Sequence, residues 1–377
     1  FFINFAAVNE YIREHADDLE VISYDDIVQE TWKKRLPAES VPNVQQEEDT
    51  EKAQQEKQEN GKTSKAGNFH ITDEQLGTGT LKEKYRRNVE AIQLLKQLEE
   101  ENRQADRFEQ ETLSNYVGWG GLSDVFDANK QNWTEEYNEL KELLTDAEYK
   151  AARESVLNAH FTQPVIIESI YKALEQMGFR NGNVLEPSMG IGNFFGVMPE
   201  SMRGSKLYGV ELDDISGRIA RQLYPDAEIQ ITGYENSGYP DDFFDVAVGN
   251  VPFGNYQIYD RRYERQHFMI HDYFLAKTLD QLRSGGVAAF ITSKGTMDKK
   301  SDTVRLYLSQ RAELLGAIRL PNTAFKANAG TEVTSDILFF QKREGISYDS
   351  PEWLQIGVNE EGIELNQYFI NHPEMVL

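Results

Sequence analysis

The sequence predicts a doubly wound α/β protein, with a seven-stranded sheet preceded by an all-α unit. Three observations carry this reading. Between residues 183 and 343, short apolar runs alternate with stretches of helical period. The first run, Asn183-Val184-Leu185-Glu186, leads into a glycine turn, Pro187-Ser188-Met189-Gly190-Ile191-Gly192. Further upstream, Thr80-Leu81-Lys82-Glu83 spells a capping box, the signature of a helix start.

Taken in order, residues 1–40 read as a partly helical stub and 41–68 as a flexible polar linker, with Gln45-Gln46-Glu47-Glu48-Asp49 as its plainest stretch. Gly61-Lys62-Thr63 is similar to the end of a phosphate-binding loop. Glu56 stands where that loop needs its first glycine and no buried strand precedes it, so triphosphate binding is rejected. Residues 69–157 form the helical domain, with one helix from the capping box to about Asn102 and others through Leu157. Within it, Trp119 stands between glycines in Tyr116-Val117-Gly118-Trp119-Gly120-Gly121-Leu122. A core tryptophan in a tight turn suits it better than a wedge into DNA.

The core is expected at 158–344 and a C-terminal extension at 345–377. A helix is predicted from Val165 to Met177. Strands are predicted at 183–186, 206–211, 227–232, 243–249, 285–293, 312–321 and 335–343, and another helix begins at His271. A doubly wound sheet binds ligands at the carboxyl ends of its strands. The start at Phe1 reads as that of a fragment or a processed chain.

Composition removes several chemistries. The 377 residues include no cysteine, which excludes disulfides, cysteine-ligated zinc and thiol nucleophiles. The six histidines form no cluster of three or more in the sequence, and no metal is expected. Without a run of eighteen apolar residues or a signal-peptide pattern, no membrane association is expected and the location should be cytoplasmic.

Gly190 and Gly192 let the backbone approach a ligand, and Glu186 at the strand end can meet a cationic or hydroxyl-bearing group. The dinucleotide fingerprint Gly-x-Gly-x-x-Gly is not met, since Phe195 takes its last place. Glu211 ends the next strand, where a carboxylate accepts hydrogen bonds from ribose hydroxyls. Asn250-Val251-Pro252-Phe253 ends the fourth strand. Read alone it fits an ordinary strand-end turn equally well, because Asn and Pro are common turn formers.

Read together, these segments resemble the amino-methyltransferases that use S-adenosylmethionine. Asn250 to Phe253 is similar to their Asn-Pro-Pro-Phe/Tyr signature, with Val251 in place of the first Pro. Glu186 to Phe194 is similar to Asp-Pro-x-x-Gly-x-Gly-x-Phe, with Glu in place of Asp. His160-Phe161-Thr162-Gln163-Pro164 resembles the Tyr/Phe-Thr-Pro-Pro segment over the methionine end of the cofactor. This order is that of γ-type N6-adenine DNA methyltransferases, including type I restriction modification subunits. Residues 69 to 377 resemble the methylase portion of large methylase-helicase proteins of conjugative elements and phages.

The resemblance implies a Rossmann-like core that binds S-adenosylmethionine through Phe161, Thr162, Glu186, Gly190, Gly192, Phe194, Glu211 and Glu235, with Asn250, Pro252 and Phe253 as the catalytic turn. Glu235 would face the cofactor adenine, although a solvated loop acid fits the sequence equally. The implied reaction is methyl transfer to N6 of a flipped adenine in DNA. The implied partners are DNA and a helicase region of the same polypeptide. Guanine N2 in RNA, a protein glutamine, or a non-catalytic cofactor- or DNA-binding module of a helicase or antirestriction assembly are the alternatives.

A net charge of −24 opposes DNA binding, but its distribution is uneven. Residues 251–344 hold fourteen Lys and Arg against ten Asp and Glu, a net +4, which leaves −28 on the rest. Arg261, Arg262, Arg265, Lys294, Lys299, Lys300 and Arg305 are the cations expected where a duplex would approach.

Overall fold

In the computed structural model the described residues are 66–73, 76–156, 162–322 and 334–377. The stub, nearly all of the predicted linker, Leu157, His160, Phe161 and Thr323 to Phe325 lie outside them.

The helical unit starts where the capping box places it. Thr80 accepts from the Glu83 N–H and the Glu83 carboxylate accepts from the Thr80 N–H at 2.7 Å, opening helix α1 (Leu81–Glu100). The same device recurs twice, with Asp106 and Glu109 opening α2 (Arg107–Ser114) and Thr145 and Glu148 opening α4 (Asp146–Ser155). Helix α3 (Thr134–Leu143) lies between them. Trp119 is a core residue, 1% exposed, with Tyr85, Tyr116 and Phe126 around it. Asn88 holds its loop, donating to Gly118 O at 2.6 Å and accepting from Val117 N at 2.9 Å.

The sheet has seven strands in the order β3-β2-β1-β4-β5-β7-β6. They are β1 (Asn183–Glu186), β2 (Lys206–Glu211), β3 (Glu228–Ile231), β4 (Phe244–Asn250), β5 (Leu282–Ser293), β6 (Ala312–Arg319) and β7 (Ser335–Lys342). The first five pair in parallel, and β7 slots antiparallel between β5 and β6. Val246, Ala247 and Val248 of β4 and Ala289, Phe290 and Ile291 of β5 are all buried, as expected of central strands covered by helices on both faces.

The covering helices are α5 (Pro164–Gln176), α6 (Asn193–Val197), α7 (Asp214–Leu223), α8 (Ile270–Gln281), α9 (Gly295–Asp298) and α10 (Thr303–Arg311). A small hairpin, β8 (Ile356–Val358) with β9 (Glu364–Asn366), and α11 (Gln367–Asn371) close the chain.

The helical unit is locked onto α7. Arg218 of α7 pairs with Glu148 at 2.7 Å and Glu99 at 3.4 Å of the helical unit, and with Asp214 of its own helix at 3.3 Å. Gln222 accepts from Ala105 N at 2.8 Å, and Gln110 donates to Gln222 O at 3.0 Å. Strand order reverses between β1 and β4, so Glu186 and Asn250 end neighbouring strands at the switch point, where a crevice forms in such sheets.

Candidate active site

The turn after β1 holds Gly190 at φ +55° and Gly192 at φ +87°, both in the left-handed region. The two glycines serve different ends. A Cβ on Gly192 would lie 2.5 Å from the Tyr224 ring, whereas one on Gly190 would point into open space. Gly192 is therefore small for packing, and Gly190 faces open space, with its N–H on the Glu211 carboxylate.

Glu211 ties that turn together. Its carboxylate accepts from Gly190 N at 2.6 Å and from Asp213 N at 2.7 Å. Burial, and after it the charge of Asp213, push its pKa up to about 7 against the pull of those N–H bonds. Each carboxylate oxygen still has acceptor capacity left for a hydroxyl. Glu186 is 2% exposed, and its Oε2 has no hydrogen-bond partner. Burial first, and Glu211 second, drive its pKa well above the carboxylate range. An orphaned buried acid at a strand end fits a ligand bearing a cationic or hydroxyl group, and the polar ends of S-adenosylmethionine supply both. Thus Glu186, Gly190 and Glu211 could hold that cofactor.

Asn250, at the end of β4, is fixed from two sides. Its Nδ2 donates to Thr162 Oγ1 at 3.2 Å, and its backbone carbonyl accepts from Ser188 Oγ at 2.9 Å. The Thr162 segment, the glycine turn and the Asn250 turn therefore meet at one place. With Nδ2 engaged, Oδ1 remains an acceptor for an incoming amine. Val251, where the resembled signature has Pro, is 1% exposed and donates its N–H to Ile291 O at 3.0 Å, a ladder bond that proline cannot make. Pro252 then ends the ladder, and Phe253 packs half-buried against the core.

Two other candidate residues sit differently. The Phe194 ring is buried in the core, and its carbonyl accepts from Tyr171 OH at 2.8 Å. Glu235 is half-buried and accepts from Asn236 Nδ2 at 2.9 Å. Ser188 and Tyr116 had no assigned role. The only sequence sign for Ser188 was its place in the glycine turn, and none marked the approach of Tyr116 to Asp213 and Ser216. Among the described residues no cluster of His, Cys, Asp or Glu could hold a metal ion, and no helix is long and apolar enough to cross a membrane.

The basic stretch needs correction. Arg305 is buried, donating to the carbonyls of Leu354, Met297 and Lys299, so it holds the turn before the C-terminal hairpin to the core and faces no duplex. Arg262 pairs with Asp241 and Asp280, Lys299 with the fully buried Asp272, and Lys300 with Glu364. Arg261, Arg265 and Lys294 are exposed and make no ion pair among the described residues.

The family model described as N-6 DNA Methylase matches residues 148–350, more than half of the chain, and the chain belongs to that family. Over 192 residues, 49% of the chain, it is 34% identical to "Defense against restriction protein B" of Escherichia phage P1, and it spans only 8% of that protein's length. Among solved structures it is similar to a protein assigned as the modification subunit of a type I restriction enzyme from Vibrio vulnificus. The identity there is 17% and the TM-score 0.42, over 62% of this chain and 64% of that one. It is also similar to a protein assigned as a class I S-adenosylmethionine-dependent methyltransferase from Listeria monocytogenes, at 16% identity and TM-score 0.37 over 71% of this chain and 90% of that one.

Proposed function

We propose that this chain methylates the exocyclic N6 amine of a flipped adenine in DNA, with residues 158–344 as the catalytic core. The observation that carries the proposal is the double restraint of Asn250 by Thr162 and Ser188, beside the carboxylates of the glycine turn. S-adenosylmethionine, when bound, supplies an electrophilic methyl group. The rest falls to the chain. Glu186 would take the cationic end of the cofactor, Glu211 its ribose hydroxyls and Glu235 its adenine, with Gly190 leaving room.

An aromatic amine is a poor nucleophile because its lone pair is spread into the ring. Asn250 Oδ1 and a backbone carbonyl of the Val251-Pro252 segment would accept its two hydrogens, drawing the nitrogen toward tetrahedral geometry and freeing the lone pair. Phe253 would stack on the base, offsetting part of the few kcal/mol that flipping costs. No covalent bond to the protein is required.

Asn250→Ala should lower methyl transfer by at least ~100-fold in single turnover while leaving cofactor affinity nearly intact, since the acceptor acts chiefly in the transition state. An unchanged rate with saturating DNA would remove Asn250 from the site. The phage relative's name supports a second reading, a non-catalytic module of an antirestriction assembly. A wild-type chain that binds cofactor but turns over no DNA, RNA or protein amine would favour it. A helicase region of the same polypeptide rests on the resemblance alone.

A further inference from the structure

Beyond the catalytic turn the chain makes a long excursion before α8 begins at Ile270. Its middle presents Tyr259, 74% exposed. The loop around this ring is held. The next residue, Asp260, accepts from Tyr273 OH at 2.8 Å, Arg262 N at 3.0 Å and Lys277 Nζ at 3.4 Å. Tyr256 lays its ring over Gly254, where a Cβ would come within 2.5 Å, and its carbonyl accepts from Ile270 N at 3.0 Å. Gln257 donates to His267 O at 3.2 Å. An anchored loop that keeps Tyr259 in water, with Tyr256 44% exposed beside it in the chain, forgoes burial at roughly 25 cal/mol per Å² of apolar surface, which points to a partner for the more exposed ring.

The surroundings say which partner. Arg261 and Arg265 follow Tyr259 in the same loop, exposed and without an ion pair among the described residues, with Glu264 the one exposed acid between them, in a chain of net charge −24. Uncompensated cations beside a free aromatic face suit a polyanion with stackable planes, which is nucleic acid. The loop also leaves directly from Asn250-Val251-Pro252-Phe253, with Tyr259 six residues beyond Phe253.

We propose that Tyr259 enters duplex DNA and stacks in the gap left by the flipped base, with Arg261 and Arg265 on the flanking phosphates. This rests on the adenine reading, because a base taken out of the stack leaves a hole that costs stacking until something fills it.

The test is fluorescence anisotropy of the purified chain with a labelled duplex of mixed sequence, either intact or with one abasic nucleotide opposite thymine. The wild type should favour the abasic duplex. Tyr259→Ala should lose roughly 5- to 150-fold of that affinity, which is stacking of about 1 to 3 kcal/mol at ~1.4 kcal/mol per tenfold. Tyr259→Phe should keep it, and circular dichroism should show both variants folded.

Equal affinity of Tyr259→Ala and wild type for the abasic duplex overturns the proposal, as does tighter wild-type binding to a hairpin RNA than to either duplex, or no nucleic-acid binding at all. Methylation assays separate the two readings. If the wild type methylates no DNA but the alanine variant still loses the gap preference, the adenine reading falls, and what stands is only that Tyr259 stacks in a gap of the duplex. If the wild type methylates DNA and Tyr259→Ala matches it in affinity and KM, the reverse holds.

Discussion

Glu211 titrates near neutrality while accepting two backbone N–H bonds, because its burial and the neighbouring Asp213 outweigh them. Its folded pKa of about 7 lies above the ordinary 4.5, so the carboxyl weakens the free protein as pH rises through that window and adds no penalty below it. Ribose hydroxyls donate to the charged form, so the cofactor should bind more tightly as pH rises. Calorimetry should show affinity growing by up to roughly tenfold per pH unit below about pH 7 and levelling off above it. Glu211→Gln should flatten the profile and weaken binding by about 1.5 to 3 kcal/mol, the range for hydrogen bonds to a charged group. A flat wild-type profile would take Glu211 out of contact with the cofactor.

The hydroxyl of Thr162 is engaged by Asn250, so its loss should act on the chemical step. For Thr162→Val we expect kcat down by roughly 5- to 10-fold, one ordinary hydrogen bond, with cofactor affinity changed by less than about threefold. A large loss of cofactor affinity at unchanged kcat would place Thr162 on the cofactor instead.

At the scale of elements, Glu148 joins three helices. It caps α4 through Thr145, and it pairs with Lys96 of α1 and Arg218 of α7. Burial alone would raise its carboxyl, but the Thr145 N–H and the two cations hold it down to about 2. This contribution is therefore fully present above the ordinary 4.5 and disappears as pH falls toward 2. Glu148→Gln should be less stable than wild type at neutral pH and lose less stability across that acid window, as read by denaturant titrations. Parallel pH dependence of the two proteins would show that the network contributes nothing.

Glu148 also marks where the sequence stops being legible. Its capping pattern is written within four residues, but Lys96 and Arg218 lie 52 and 70 positions away, and only the docking of α1 and α7 brings them in. The same holds at the site. Strand ends and glycines put Glu186, Gly190, Glu211 and Asn250 at the sheet's carboxyl edge, because local period and turn chemistry carry that information. That Asn250 would meet Thr162 and Ser188, 88 and 62 residues distant, depends on strand order. Arg305 misled for a related reason. Arginines are mostly exposed, and nothing local reveals that three carbonyls converge on this one. Strand β7 likewise reads as one more run, and its reversed place between β5 and β6 follows from packing alone.

Over the whole molecule, the charge limits how DNA can be held. Residues 251–344 carry +4 and the rest of the chain −28, so the duplex must be met by a few cations against a repelling background. Of the seven expected to serve, one is buried and three are paired with acids, which leaves Arg261, Arg265 and Lys294 free among the described residues. Three phosphate contacts release counterions with a slope of about −2.7 in log affinity against log salt, so affinity should fall roughly 40-fold between about 50 and 200 mM. The combined variant Arg261→Gln, Arg265→Gln, Lys294→Gln should show nearly flat binding, with its circular dichroism unchanged because these side chains support no packing. A wild-type slope beyond about −6 that survives in the variant would mean that other cations hold the phosphates, and the face around the catalytic turn would lose its claim to the duplex.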